Sequence, residues 1–211
     1  MTVYAEYFEK DNIRRKTLLQ FGNSTEFIGS AVLTNPGSAS PIKNDFDKNI
    51  ITKFYKKVHK IDMETKDWYL FDDDPTMRWL EKIFNGWYIN ENNKTIELNG
   101  IIQLFNCFYY MDPNRKNAIM QFINKPEFVF NESQYFLDKP VYFGWGKLNK
   151  NIEIEKIARN IFTINNRKYT LIYNDGFENN SFYHPKYINC SYKTKENVKN
   201  ILKSFHQLII R

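Results

Sequence analysis

FIGSAVLTNPGSAS, residues 27–40, is the stretch that decides the fold. Residues 27–34 form a short run of apolar and small residues without strict alternation, which is typical of a strand that is covered on both faces of its sheet. Asparagine, proline, glycine and serine follow at once, and these residue types favour a tight turn. The stretch therefore predicts a buried strand that ends at a polar turn.

The same alternation of strand and helix continues along the chain. Further short apolar runs predict buried strands at residues 100–106, 141–145 and 169–173. Helical periodicity predicts helices at residues 50–58, 115–124, 152–161 and 198–209. Another helix is expected to begin at Pro75 with Asp74 as its N-cap. This order predicts a single α/β domain over residues 1–211, with three αβα layers and a short, mostly parallel, four-stranded central sheet.

The composition provides ample material for a core, because 42% of the 211 residues are hydrophobic and 17% are aromatic. Two cysteines offer no disulfide framework, no apolar run reaches the roughly 18 residues of a membrane span, and no signal-peptide pattern is visible. We therefore expect a cytoplasmic monomer without a membrane partner. The net charge of +6 and the pI of about 9.1 fit a nucleic-acid-binding protein, but a low-GC genome explains the lysine content equally well.

Candidate functional residues stand where the predicted strands end, because parallel sheets bind ligands beyond the carboxyl ends of their strands. Thr34, Asn35, Pro36, Gly37 and Ser38 follow the first strand, and their backbone N–H groups suit a phosphate, a base edge or a water molecule. The alternative is an ordinary turn between a strand and a helix.

The second predicted strand ends at Asn106, whose amide presents a donor and an acceptor side by side. Such an amide can pair with the edge of a nucleobase, and the alternative is a residue that merely ends a strand.

A loop beyond the last predicted strand places an imidazole, a cation and apolar side chains close together at His184, Lys186, Tyr187 and Ile188. These groups could hydrogen-bond a base, contact a phosphate and fill a gap in a base stack, whereas the alternative is a solvated surface histidine. The carboxylates of residues 72–74 are interpreted as helix caps rather than metal ligands. We expect no metal and no cofactor, since phosphate-loop, dinucleotide and nucleophile-elbow motifs are all absent from the sequence.

Five motifs resemble, in the same order, those of a bacterial domain-of-unknown-function family, number 1643. They are Asn35-Pro36-Gly37-Ser38-Ala39, Asp73-Asp74-Pro75-Thr76, Leu104-Phe105-Asn106, Trp145-Gly146 and His184-Pro185-Lys186-Tyr187. Three of these segments are also similar to the uracil-DNA glycosylase superfamily: the turn at residues 34–37, the strand end at residues 104–106, and the His-Pro loop. The resemblance implies a small parallel sheet between helices.

The resemblance also implies roles in the excision of a flipped base. Asn106 would pair with the base, His184 would stabilise charge on its O2 atom, and Asn35 would position water. Lys186 and the turn residues Thr34, Pro36, Gly37 and Ser38 would complete the base site, and Tyr187 or Ile188 would fill the gap in the stack. Asn35 replaces the aspartate of the fast glycosylases and cannot accept a proton from water.

Three hypotheses follow. The leading one is a catalytically degenerate glycosylase-like protein that is retained to bind single- or double-stranded DNA, or a protein such as a DNA-mimicking glycosylase inhibitor. The second is an active glycosylase that excises uracil or another modified base, and the third is a nucleotide- or nucleoside-binding enzyme or sensor. The role of residues 42–74 is left open between a lid over the site and a segment packed on the sheet.

Overall fold

The computed structural model describes residues 1–90, 94–148, 151–165, 172–173 and 176–210. The strands are β1 (Thr2–Phe8), β2 (Ile13–Phe21), β3 (Phe27–Leu33), β4 (Pro41–Lys43), β5 (Trp68–Phe71), β6 (Gly100–Asn106) and β7 (Val141–Phe143). The helices are α1 (Asn49–Phe54), α2 (Pro75–Phe84), α3 (Arg115–Asn124), α4 (Ile152–Asn165), α5 (Gly176–Asn179), α6 (Pro185–Ser191) and α7 (Glu196–Ile209). A π-helical turn, Tyr55–His59, continues α1.

The described strands form one seven-stranded mixed sheet in the order β4-β5-β1-β2-β6-β3-β7. Among the described strands, only β3 pairs in parallel, with β6 on one side and β7 on the other. Every other neighbouring pair is antiparallel. The expected short, mostly parallel, four-stranded sheet is therefore wrong.

The unpredicted strands are β1, β2, β4 and β5. The two N-terminal strands carry charges and do not form continuous apolar runs. Strands β1 and β2 hold Glu6 opposite Arg15, and the carboxylate of Glu6 pairs with both Arg15 and Lys16. Because these charges are satisfied across the hairpin, the two strands occupy the middle of the sheet despite their polar residues.

Most of the other predicted elements are confirmed. The runs at residues 27–34, 100–106 and 141–145 are β3, β6 and β7, which form the parallel part of the sheet. The predicted strand at residues 169–173 lies mostly outside the described residues, and Ile172 and Tyr173, its described members, are not in a strand. Helix α2 begins at Pro75 as predicted, where the carboxylate of Asp74 accepts the Met77 N–H.

The core lies on both faces of the sheet, because consecutive residues of a strand point to opposite sides. In β1, Val3 belongs to the larger hydrophobic cluster, which includes residues of α2, α6 and α7, whereas Tyr4 belongs to a second cluster. Ile51 and Phe54 of α1 are fully buried in this second cluster. The segment at residues 42–74 thus packs on the sheet, and it also supplies strand β5, which lies between β1 and the edge strand β4.

None of the helices within the described ranges is both long and apolar enough to cross a membrane.

Candidate functional site

The carboxyl ends of the parallel strands meet at one edge of the sheet. Leu33 of β3 is the register partner of Asn106 of β6, and Val32 is the partner of Phe143 of β7. The Thr34 hydroxyl donates to the Trp145 carbonyl oxygen at 2.9 Å and ties two of these strand ends together. A cavity of about 400 Å³ opens here, and we name it the strand-end cavity.

The strand-end cavity brings together six residues that the sequence singled out: Thr34, Asn35, Gly37, Asn106, His184 and Lys186. The remaining four do not line it. Pro36 is buried and Ser38 is exposed on the turn. Tyr187 is 44% exposed outside the cavity, whereas Ile188 is fully buried in the core and is not available as a wedge into a base stack.

Asn106 lines the cavity and carries a buried, unsatisfied donor. It is the last residue of a strand that is buried along its whole length, and its own side chain is only 1% exposed. Its Nδ2 atom has no hydrogen-bond partner among the residues that the structure describes. A buried donor left in this state costs about 1–3 kcal/mol, so a ligand acceptor that reached it would be bound favourably.

Asn35 is held in one orientation by its own turn. Its Nδ2 atom donates to the carbonyl oxygens of Pro36, at 2.7 Å, and of Asp112, at 3.2 Å. Because both amide hydrogens are engaged, Oδ1 is the atom that can accept from a water molecule or a ligand N–H.

His184 caps helix α6 and is a neutral donor. The Lys186 backbone N–H donates to its Nδ1 atom at 3.2 Å, so the neutral ring carries its hydrogen on Nε2. Burial lowers the pKa of His184 to about 4, the charge of Arg115 adds to this effect, and the carboxylate of Asp74 opposes it. At neutral pH the imidazole can therefore donate from Nε2 without carrying a charge.

Asp74 also does more than cap its helix. The side chain is 5% exposed, and while Oδ1 accepts the Met77 N–H at 3.0 Å, Oδ2 lies against the turn after β3. A Cβ atom on residue 37 would stand 2.7 Å from Oδ2, so glycine at this position allows the carboxylate and the turn to meet. The sequence predicts Asp74 as a helix cap only, whereas the side chain also forms part of the cavity wall.

The sequence also missed Arg14, Trp79, Asp112 and Arg115, which line the cavity as well. Arg115 is the first residue of α3, the helix that follows β6 along the chain, and a cation at the start of that helix is the signal that could have identified it. Arg14 comes from β2, an antiparallel strand whose place beside β6 no local pattern shows.

A second, shallower depression adjoins the cavity and shares Arg115 and His184 with it. We name it the tyrosine groove, after Tyr183 and Tyr187, whose rings stack with centroids 5.1 Å apart and planes inclined by 15°. Its volume is about 490 Å³, and Lys147 is another of its lining residues. None of the described residues that line it is acidic.

Within the described ranges, no group of three or more His, Cys, Asp or Glu side chains is placed to hold a metal ion.

Comparison with known proteins adds no relative. No protein-family model matches the chain, and neither the curated proteins nor the solved structures give a match.

Proposed function

We propose that the strand-end cavity binds a nucleobase presented by a nucleic-acid strand that lies in the tyrosine groove. The observation that carries this proposal is the unpartnered Nδ2 atom of Asn106, which is buried at the end of β6. An asparagine amide pairs side by side with the donor and acceptor pattern of a base edge, and base pairing would satisfy the buried donor.

The surroundings of Asn106 support the same class of ligand. Trp79 of α2 is half-buried in the cavity wall and provides an aromatic surface on which a base could stack. His184 adds an uncharged donor from Nε2. In the adjoining groove, Arg115 and Lys147 provide positive charge for phosphates, and the exposed Tyr187 provides a second stacking surface.

The test is the affinity of the wild type and of Asn106→Ala for a single-stranded oligonucleotide, measured by fluorescence anisotropy. We expect the variant to bind about tenfold more weakly, because it loses a buried hydrogen bond to the base. We also expect it to melt no lower than the wild type, because the orphaned donor is removed. Ser38→Ala, on the same edge of the sheet but exposed, is the control. Unchanged affinity of Asn106→Ala would contradict the proposal.

A second candidate function is hydrolysis of the N-glycosidic bond of the bound nucleotide. Asn35 Oδ1 can orient the attacking water, and the His184 Nε2–H can stabilise the negative charge that develops on the departing base. The assay is abasic-site formation in a uracil-containing single strand with protein in excess. Strand cleavage that disappears in Asn106→Ala supports a glycosylase, and its absence in the wild type after hours leaves a binding protein.

The proposal extends to a protein partner and to a compartment. A DNA-mimicking glycosylase inhibitor would dock where the nucleic acid docks, over the exposed Tyr187, and would co-elute with the protein as one complex on size exclusion. We place the protein in the cytoplasm, where Cys107 and Cys190, which are both free, would stay reduced.

A further inference from the structure

Arg14 is a buried charge with too few partners. It lines the strand-end cavity, and only 1% of its surface is exposed. Its Nη1 atom donates to the Ala39 carbonyl oxygen at the long distance of 3.4 Å, and its Nε atom has no hydrogen-bond partner within the described ranges. In the described part of the chain, no ion pair joins Arg14 to a carboxylate.

The fold holds this guanidinium at an electrostatic disadvantage. Burial lowers the pKa of Arg14 to about 10, and the charges of Asp74 and Asp72 offset only part of that effect. Asp74 is engaged by the start of α2 through Oδ1, and Asp72 accepts the Ser40 N–H. Phe71 faces the guanidinium carbon at 5.5 Å from its ring centroid and adds a weak attraction. An anionic ligand beside Arg14 would compensate this buried positive charge and would therefore bind favourably.

The cavity as a whole also favours a negative ligand. Three of its lining side chains are cationic, at Arg14, Arg115 and Lys186, and two are acidic, at Asp74 and Asp112. The first turns of α2 and α3 lie at the same edge and add partial positive charge. The guanidinium fork matches the oxygens of a phosphate group, which can accept two parallel N–H bonds.

We propose that Arg14 is the buried part of an anion subsite, which binds a terminal phosphate monoester on the nucleotide whose base pairs with Asn106. The inference rests on the proposed nucleobase pocket and specifies that its ligand carries a terminal phosphate. An internal phosphodiester is linked to nucleotides on both sides and therefore stays at the protein surface with the rest of the nucleic acid. Arg14, in contrast, is almost fully enclosed. A terminal phosphate can enter the cavity with its nucleotide. The ligand is thus either a free nucleoside monophosphate or the phosphorylated end of a strand.

The first experiment uses the wild-type protein. Inorganic phosphate should raise the Tm, whereas potassium chloride at equal ionic strength should not, because only phosphate engages the subsite. Nucleoside monophosphates should bind at least about tenfold more tightly than the corresponding nucleosides. A parallel arm compares oligonucleotides that carry either a phosphate or a hydroxyl at each end. Tighter binding of the phosphorylated oligonucleotide would show that the terminal phosphate can belong to a nucleic-acid strand. Equal affinities in both arms would overturn the proposal.

The second experiment compares Arg14→Met with Arg78→Met, which removes an exposed arginine of α2 that pairs with Asp73. We expect Arg14→Met to melt at or above the wild-type Tm, since an unpaired buried charge is replaced by an apolar side chain. Its affinity for nucleosides should be unchanged, and its preference for monophosphates should disappear. Arg78→Met should keep that preference. A lowered Tm together with a retained preference would show that Arg14 has only a structural role.

Two further outcomes are decisive. If Arg14→Met does not fold, Arg14→Lys keeps the charge without the fork, and we expect it to fold and to lose most of the preference for the phosphate. A phosphate preference that persists in Arg14→Lys would overturn the subsite. Failure of the nucleobase pocket has a different signature, in which Asn106→Ala leaves nucleoside affinity unchanged whether or not phosphate binds.

Discussion

Three polar side chains that line the cavity share one property, which is that each uses one atom for a hydrogen bond with the local backbone and has a second polar atom outside that bond. Asp74 binds the start of α2 through Oδ1, His184 binds the start of α6 through Nδ1, and Asn35 binds its own turn through Nδ2. The backbone contact fixes the rotamer, so the second polar atom is oriented before any ligand arrives. Such preorganisation lowers the entropy that binding must overcome.

At the scale of single residues, Gly37→Ala should disturb the site through one contact. The new Cβ would stand 2.7 Å from Asp74 Oδ2, which forces the turn and the helix cap apart. We expect a loss of about 1–3 kcal/mol in the free energy of unfolding, measured by urea titration, and weaker oligonucleotide binding. Ser38→Ala, one residue further along the turn, should change stability by less than about 0.5 kcal/mol. Equal effects of the two substitutions would show that the contact is unimportant.

The pH dependence of stability follows from the buried imidazole of His184. Its pKa is about 4 in the fold against 6.5 in the unfolded chain, so the unfolded chain takes up a proton first as the pH falls. Stability should therefore decrease between about pH 6.5 and pH 4, and His184→Asn, which keeps a capping side chain, should show a smaller decrease in Tm over this range. His59, with its pKa also near 4, and His206, whose pKa burial lowers, account for a remaining slope. An identical decrease in the variant would contradict the assignment.

At the scale of elements, the start of α2 joins stability to the site. Asp74→Ala removes the cap and should cost about 0.5–2 kcal/mol, whereas Asp74→Asn keeps a capping oxygen and should lose much less. Thermal denaturation of both variants measures the difference. Asp73→Ala is the matched control, because the neighbouring Asp73 makes only a surface ion pair with Arg78 and should have a smaller effect than Asp74→Ala. The expected result is a lower Tm for Asp74→Ala than for Asp74→Asn.

At the scale of the whole molecule, the antiparallel strands are part of the same folding unit as the site. Strand β2 lies between β1 and β6, and it carries Arg14 to the cavity. Amide hydrogen exchange should show β2 and β6 as strongly protected, whereas β4, whose residues are all exposed, should exchange through local opening. Fast exchange of β1 and β2 beside slow exchange of β3, β6 and β7 would instead indicate two separate units.

Local pattern was sufficient for the part of the fold that is built from continuous runs. The apolar run predicted at residues 27–34 is β3, which ends one residue earlier, and α2 begins at Pro75 as predicted. Local pattern was insufficient for β1 and β2, because the charges of Glu6, Arg15 and Lys16 interrupt the apolar pattern of a buried strand. These charges form ion pairs with each other only in the folded hairpin. The sheet was therefore predicted too small and too parallel.

The sequence by itself determined the turn and strand-end residues of the site, because parallel strands must bring their carboxyl ends to one edge. Only the tertiary structure decided which of them face the cavity: it encloses Asn106 and His184, leaves Ser38 outside, and buries Ile188 in the core. Only the tertiary structure brought Arg14 beside Asp74. The physical reason is that strand order is set by the packing of the whole sheet. Arg14 and Asp74 are 60 positions apart along the chain, so no local sequence pattern indicates that they lie close together.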